Sequence, residues 1–346
     1  MKTLNNRRGS ALLTVLWLSA ALAAIAFSVS SSVRSETDRV EAGSNGLRAW
    51  YLATGAVERG IQWMYWGEDF HRADGTSFWK FGAPRMEMSF PSGNAVVEMI
   101  PESAKLNINY ASAEDLTKVI TVVSGDAARA REIAGAILDW RNGSAGPTDY
   151  DQYYFSVSPT FRARHASFEE IEELLSVRGM TPELYYGNFV AGAGPDGKQG
   201  ALYASGGLRD CLSVWGSLGP FDVNTVSPAL MTAMGVPPES VAAIVAHRNT
   251  APFNNMNEVG ALGAPMQRIG IGGNFIWTLR AAARLKRPDG TFSETVRTAS
   301  ATVKLVDRRR FQIPIHILRW YDDAWSESGI LPPGSSSPRR SVSPQP

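Results

Sequence analysis

One stretch without a charged residue, Ser10 to Val33, constrains this chain more than any other feature. A helix of that length crosses the hydrocarbon core of a bilayer, which takes about 20 apolar residues at about 1.5 Å each. The stretch is too long for the apolar region of a signal peptide, and no small-residue cleavage site ends it. The preceding residues include Lys2, Arg7 and Arg8 but no acid, so the N-terminus is expected to be cytoplasmic. The sequence predicts a single-pass membrane helix over residues 10–33.

A short basic segment ending in glycine, residues 1–9, directly precedes the apolar stretch. This junction resembles the leader of type IV prepilins, which a membrane peptidase cleaves after the glycine before it methylates the new amino group. The resemblance implies cleavage between Gly9 and Ser10 and N-methylation of Ser10. Thr14 stands where most pilin-like subunits carry a glutamate that neutralises a neighbour's N-terminus. A glutamate in lipid is costly unless it is paired, so a subunit without it suits the tip of a filament.

Helical character continues beyond the apolar stretch to about Trp63. Val33, Val40, Leu47, Thr54 and Ile61 recur every seven residues, and polar residues fill the other faces. One helix from residue 10 to 63 would be about 80 Å long. Its lower half would lie in lipid and its upper half on a globular domain. We expect the stripe at Val33, Val40, Leu47 and Ile61 to contact partner helices during assembly.

Five segments have the pattern of strands, and they fall into two groups far apart in the chain. Met86–Phe90 and Ala95–Ile100 flank a turn, and Phe275–Leu285, Thr295–Val306 and Phe311–Trp320 follow about 170 residues later. The sequence therefore predicts an α+β fold in which a pilin-like long N-terminal helix packs on a small antiparallel sheet, interrupted by a large inserted α-helical domain. The predicted boundaries are a leader at 1–9, a transmembrane segment at 10–33, helix and first strands at 34–102, the insertion at 103–274, C-terminal strands at 275–322 and a disordered tail at 323–346.

The insertion repeats itself, over about 105–190 and again over about 220–265. Three pairs of segments match in the same order: 106–109 with 221–224, 136–142 with 243–249, and 168–174 with 253–259. Ser112, Ser167, Thr181 and Ser227 have the residue type and position of helix N-caps. Each repeat is predicted to form helical hairpins that resemble helix-hairpin-helix modules. A Gly-rich run, residues 192–200, links the two repeats.

A helix-hairpin-helix repeat raises the question of DNA binding. The hairpin turns lack the second glycine that such modules use to hold phosphate, and Pro237 removes a backbone donor. The segment 103–274 carries 12 basic and 17 acidic residues, a net charge of −5. Because nucleic-acid affinity depends largely on phosphate neutralisation, no nucleic-acid partner is expected.

Signals for catalysis are absent from the sequence. The four histidines are scattered, and no nucleophile elbow, phosphate loop or cysteine cluster appears.

Asp139, Asp149 and Asp151 allow two interpretations, a Ca²⁺ site on the segment 143–166 or a solvated acidic loop beside capped helix starts. The only cysteine, Cys211, is expected to be a buried thiol, with an intermolecular disulfide as the alternative.

Together these features resemble the minor pseudopilin K family of type II secretion systems. The resemblance rests on the leader, on Thr14, on the interrupted sheet, and on the segments Leu138–Arg141 and Arg178–Tyr185. It implies a subunit processed by prepilin peptidase, anchored in the inner membrane with its globular part in the periplasm. Its partners would be minor pseudopilins of the I and J types, the major pseudopilin and the inner-membrane assembly platform. It would start pseudopilus assembly and cap the filament. Known members tend to hold calcium and a disulfide, and a lone cysteine leaves no internal disulfide here.

Two alternatives stay open at this stage. One is a minor pilin that primes type IV pili or competence filaments. The other is a membrane-tethered helix-hairpin-helix module that binds DNA.

Overall fold

The computed structural model describes residues 10–67, 70–79, 83–144, 146–192, 201–204, 206–264, 267–306, 311–312 and 314–322. The leader 1–9, most of the Gly-rich run and the tail 323–346 lie outside this range. In chain order the helices and strands are α1 (Ser10–Trp66), β1 (Arg85–Phe90), β2 (Gly93–Pro101), β3 (Leu106–Asn107), α2 (Ala113–Ser124), α3 (Ala127–Arg141), α4 (Asp149–Ser156), α5 (Pro182–Tyr186), β4 (Phe189–Gly192), β5 (Ala201–Ala204), β6 (Leu212–Ser213), β7 (Phe221–Asp222), α6 (Pro228–Ala233), α7 (Pro238–Thr250), α8 (Met256–Ala261), β8 (Ile269–Gly270), β9 (Ile276–Lys286), β10 (Phe292–Leu305) and β11 (Ile315–Tyr321). Short 3₁₀ helices span Glu102–Ala104, Ile171–Ser176 and Leu208–Asp210.

Helix α1 is continuous over 57 residues, which makes it about 85 Å long. It therefore extends three residues past the predicted end at Trp63. Its glycines do not break it. A Cβ atom at Gly60 would lie 2.9 Å from the Leu279 side chain of β9, whereas nothing lies within 4 Å of one at Gly43 or Gly55. Gly60 thus lies where the helix packs closely on the sheet.

All five predicted strands form one antiparallel sheet, in the order β1-β2-β9-β10-β11. Neighbours β2 and β9 are separated by the whole insertion in sequence, yet they pair residue by residue from Gly93 with Leu285 to Pro101 with Trp277. Small and branched side chains of the sheet pack against α1 in one apolar core. On the helix side it contains Leu52, Ala53, Ala56, Val57 and Met64, and on the sheet side Val97, Leu279, Ala281, Ala283, Ala299, Ala301 and Val303, among others.

The insertion has its own apolar core, built around two similar helical hairpins, α2–α3 and α6–α7. Each hairpin begins with a serine N-cap whose hydroxyl accepts a backbone N–H, Ser112 from Asp115 and Ser227 from Leu230. Thr181 caps α5 in the same way. These three helix starts agree with the sequence prediction.

The two repeats hold their connecting loops with the same hydrogen bonds. Asn109 donates to the Phe168 carbonyl at 2.9 Å and accepts from its N–H at 2.7 Å. Asn224 makes the equivalent pair with Phe253, at 3.0 and 2.7 Å. Both phenylalanines then stack on an aromatic ring of the preceding long helix, one on Trp140 and the other on the histidine at the matching position. The two copies are therefore similar in structure as well as in sequence.

The predicted helix start at Ser167 is wrong. Instead of an α-helix, a 3₁₀ helix begins after Glu170, whose backbone N–H donates to the Glu173 carboxylate. Asn109 accepts from the Phe168 N–H and donates to its carbonyl, and the chain is still extended at Glu170, before the 3₁₀ helix begins. The segment 143–166, which reads as a loop, contains the short helix α4.

Candidate assembly surface

The lower half of α1 contacts nothing else among the described residues of the chain. An 18-residue window in the helix has a mean hydropathy of 2.2, and none of it is buried. By length and composition the helix can cross a membrane. Its large side chains, such as Leu16, Trp17 and Phe27, are all exposed. In water, an apolar surface of this size would cause the protein to associate, so it requires lipid or other helices around it.

Above the apolar segment, the predicted stripe divides into two parts. Val33, Val40 and Leu47 are exposed, the last at 55 %, and Tyr51 one turn further is exposed at 61 %. Ile61 is instead half-buried and packs against the sheet core. The exposed part, Val33, Val40, Leu47 and Tyr51, is here called the lower stripe. It offers apolar side chains on one helix face where no other described part of the chain covers them.

Ile61 belongs to a groove between the upper part of α1 and the start of the edge strand β11. The groove has a volume of about 640 Å³. Its lining combines apolar and polar side chains: Gly55, Glu58, Arg59, Ile61, Gln62, Tyr65, Gln312, Pro314 and Ile315. The groove and the lower stripe thus lie on the same helix, at different heights.

The predicted processing site lies at the edge of the described residues. Gly9 lies outside the described residues, and Ser10 is the first residue of α1. Thr14 lies in the first turns of α1 and is exposed. Cleavage between Gly9 and Ser10 therefore stays a prediction from the sequence.

Two of the three candidate calcium ligands are hydrogen-bonded to protein groups. Asp151 is 4 % exposed, and its carboxylate accepts from the Thr148 backbone N–H at 2.9 Å and lies 3.0 Å from Nε2 of His165. Asp139 accepts from the Thr148 hydroxyl at 3.1 Å, and its carbonyl lies 3.1 Å from Nδ1 of His165. Asp149 is exposed in the first turn of α4, where a negative charge suits the helix dipole.

These contacts shift the pKa values of the pair in opposite directions. Burial acts to raise the pKa of Asp151, but the Thr148 and His165 hydrogen bonds outweigh it and hold that pKa below its ordinary value. Burial acts to lower the pKa of His165, but Asp151 and the Asp139 carbonyl outweigh it and raise that pKa. The pair therefore favours an imidazolium facing a carboxylate. Within the described residues no group of three or more His, Cys, Asp or Glu side chains is arranged to hold a metal ion. The calcium site stays a prediction without support from this arrangement.

Arg141 and Arg248 occupy matching positions in the two repeats and make matching contacts. Each guanidinium donates to two carbonyls in the loop that begins its own repeat. Arg141 bonds the carbonyls of Ile108 and Ala111, the latter at 2.7 Å, and Arg248 bonds those of Val223 at 3.1 Å and Val226 at 2.7 Å. Burial lowers the pKa of Arg248, and the nearby Asp222 carboxylate offsets part of this effect. Both arginines are therefore structural groups inside the insertion.

Sequence reasoning missed the contacts that join the insertion to the sheet. Glu170 forms an ion pair with Arg319 of β11 and accepts from the Tyr321 hydroxyl at 3.0 Å. The Ser103 hydroxyl accepts from the backbone N–H of Ile276 at 3.0 Å. On the opposite side of the sheet, the Trp50 indole N–H donates to the Asp322 carbonyl at 2.6 Å. No local pattern signals such pairs, because the partners are far apart in the sequence.

Cys211 is fully buried, as expected. Its thiol lies 3.3 Å from the Ser227 hydroxyl. Burial raises the pKa of the thiol to about 12. An intermolecular disulfide would require this part of the insertion to open.

Comparison with protein families matches residues 94–187 to type II secretion system (T2SS), protein K. The matched region runs from β2 through α5 and includes the segment Arg178–Tyr185 that carries the sequence resemblance. The comparison with curated proteins found no match.

Among solved structures, the chain is similar to a chain in the crystal structure of the GspK-GspI-GspJ complex from the type 2 secretion system of enterotoxigenic Escherichia coli. The two are 13 % identical, the TM-score is 0.55, and the match covers 83 % of this chain and 100 % of that chain. At that identity the likeness concerns the fold. The family match and the fold match agree with each other and with the family resemblance drawn from the sequence.

Proposed function

We propose that this chain is a minor pseudopilin of the K type and that it occupies the tip of a type II secretion pseudopilus, where it starts assembly and caps the filament for protein export across the outer membrane. The coarser part, a minor pseudopilin, has the support of the family match and the fold match. The position at the tip, initiation and capping are the proposal.

The observation that carries the proposal is the division of α1. Only its upper half packs on the sheet, where Ala53, Ala56 and Gly60 allow close approach. The remaining half leaves an apolar rod and the lower stripe uncovered by the described chain. Packed helices in a membrane associate through close van der Waals contact, and the small residues between 20 and 24 favour this. Such a rod fits a bundle of neighbouring pseudopilin helices.

The insertion supports a role at one end of a filament. It leaves the sheet after β2 and returns at β9, and Gly60 and Leu52 of α1 lie against successively lower positions of these strands. The insertion therefore sits at the end of the sheet that is far from the apolar half of α1. A broad domain at that end widens the subunit without adding to the helical rod. This shape suits a cap, below which other subunits stack.

The wider context follows from the family resemblance and belongs to the same proposal. Prepilin peptidase would cut between Gly9 and Ser10 and methylate Ser10. The subunit would remain in the inner membrane by a single pass, with the globular part in the periplasm. Minor pseudopilins of the I and J types, the major pseudopilin and the assembly platform would be its partners. The solved structure with the similar fold is a complex that contains GspI and GspJ, which supports the I-type and J-type minor pseudopilins as partners.

A structural role fits the chemistry of the insertion better than catalysis or DNA binding. Arg141 and Arg248, the paired cations of the two hairpins, are directed at backbone carbonyls inside their own repeats. They are not available to phosphates. The proposed role uses surfaces and not reactive groups, so we propose that the protein is not an enzyme.

Processing of the leader provides the test. Gly9→Ala is expected to leave a longer precursor and to stop secretion of exoproteins, because the peptidase requires the glycine. Gly43→Ala is the matched control: the same change on an exposed turn of α1, with nothing within 4 Å of the new Cβ, should be processed and secrete normally. Normal processing and secretion in the Gly9 variant would refute the proposal. Loss of twitching or DNA uptake with intact secretion in a deletion strain would assign the chain to a type IV pilus instead.

A further inference from the structure

The end of the sheet that points toward the apolar half of α1 carries a basic surface. It consists of the turn 287–291 between β9 and β10 and the strand ends beside it, and is here called the basic end. Its exposed cations are Lys286, Arg287 and Arg297, and the half-buried Arg284 lies on the same strand as Lys286. The proposed assembly contacts do not use this surface.

The direction of β9 fixes where the basic end lies. Leu279 near the start of β9 lies against Gly60, while Gly93, the pairing partner of Leu285, lies against Leu52. From its start to its end, strand β9 therefore runs along α1 toward the N-terminus of the helix. The Arg297 side chain of β10 reaches still lower, within 3.2 Å of a Cβ built at Gly46.

The height of the basic end above the membrane follows from the helix rise. Leu52 is about 28 Å above Val33, where the uncharged segment ends, at about 1.5 Å per residue. Two to four further residues of extended chain, at about 3.3 Å each, bring the turn to about 15–20 Å above Val33. The headgroup layer fills about 5–7 Å of that distance. The long Lys286 and Arg287 side chains bridge much of the rest, and an ordinary helix tilt of about 20° closes it further.

The positive charge of the basic end favours contact with an anionic membrane surface at this height. The basic end carries four cations and two acids, Asp289 and Glu294, and the Asp289 carboxylate accepts hydrogen bonds from Thr291 in the turn. The part of α1 beside and below it, residues 34–48, carries three cations and three acids, so the net charge of the whole region is +2. The sheet's other turn at this end, Pro91–Gly93, carries no charge. Cations within a Debye length of about 8 Å of anionic lipid are attracted to it.

We propose that the basic end binds the phosphate headgroups of anionic lipids while the subunit waits in the membrane before assembly. The contact holds α1 at one tilt and one rotation, so that the side chains of the lower stripe face sideways, toward a partner helix in the same membrane. The proposal rests on α1 being the membrane anchor of the proposed function.

The test uses the full-length protein in vesicles, with a fluorophore attached at Ser92→Cys. Ser92 is exposed and uncharged and lies beside Lys286, whose backbone N–H bonds the Ser92 carbonyl. The native Cys211 is buried, so the label goes to the new cysteine. A quencher attached to lipid headgroups then reports how near the basic end lies to the surface.

We expect about twofold stronger quenching in vesicles containing phosphatidylglycerol than in phosphatidylcholine alone, and loss of the difference at about 0.5 M salt, where screening is short-ranged. The double variant Lys286→Gln, Arg287→Gln should abolish the difference. The matched control, Arg131→Gln with Lys304→Gln, removes two exposed cations far from the basic end and should retain it. Equal quenching in both lipids, or equal loss in both double variants, would overturn the proposal. A chain that washes off the vesicles would refute the membrane anchor and with it the proposed function.

Discussion

The repeated arginine clamp gives a prediction whose size follows from the structure. Arg248→Met keeps the apolar stem and removes the guanidinium that donates to the carbonyls of Val223 and Val226. Both valines are fully buried, so water reaches their carbonyls poorly. Each unsatisfied buried group costs about 1–3 kcal/mol, and hydrogen bonds to a charged donor are at the upper end of the range. We expect the insertion to lose about 2–4 kcal/mol of stability.

The assay is amide hydrogen exchange of α6 and α7 in the full-length protein, together with its melting temperature. Arg131→Met on the exposed face of α3 is the control and should change neither by more than about 0.5 kcal/mol. Arg141→Met should cost a similar amount in the first repeat. Because the two clamps share no partner, the losses should add in the double variant. If Arg248→Met behaves like the control, the clamp has no structural role and the equivalence of the repeats explains nothing about stability.

Three further predictions concern the described groups. Gly60→Ala should lower the melting temperature, because the new Cβ would lie 2.9 Å from a leucine side chain of β9. Gly55→Ala, with nothing within 4 Å of the new Cβ, should raise the melting temperature, because alanine has a better helix propensity than glycine by up to about 1 kcal/mol. Shifts of the same sign in the two variants would contradict this. The His165–Asp151 pair should stabilise the fold most between about pH 4 and 6.5, because the aspartate contribution is lost as pH falls through its lowered pKa and the histidine contribution as pH rises through its raised pKa. His165→Gln should therefore cost most stability in that window and excess calcium should restore none of it, while a pH-independent loss would refute the assignment. Cys211 should react with thiol reagents only when the insertion opens, and fast labelling of the native protein would disprove its burial.

Long periodic elements could be predicted from the sequence because their signals are local. The uncharged segment and the seven-residue stripe indicated one helix, and α1 is continuous to Trp66. Alternating strands around the turn at Pro91–Gly93 indicated the first hairpin, and three more strands were found near the C-terminus. The repeat is visible in the sequence because residues with equivalent structural roles, such as Asn109 and Asn224, lie in matching segments of the two copies.

The assembly surface could be predicted only in part. The seven-residue spacing does not tell which positions the sheet covers, so Leu47 is exposed while Ile61, two heptads further, packs against the core. Contacts between distant segments, such as Glu170 with Arg319, follow from the tertiary fold and leave no local pattern. Helix α4 is too short for its period to be recognised, and its first-turn acids were open to interpretation as calcium ligands.

We expect partner helices to bind at the lower stripe, and co-purification from membranes measures this binding directly. Val40→Glu with Leu47→Glu puts two charges on exposed positions, so the fold should be unaffected while association with the I-type and J-type pseudopilins is lost. Tyr110→Glu, a change at an exposed aromatic residue of the insertion, is the control and should retain both partners. Undiminished recovery of the pseudopilins with the double variant would contradict the account.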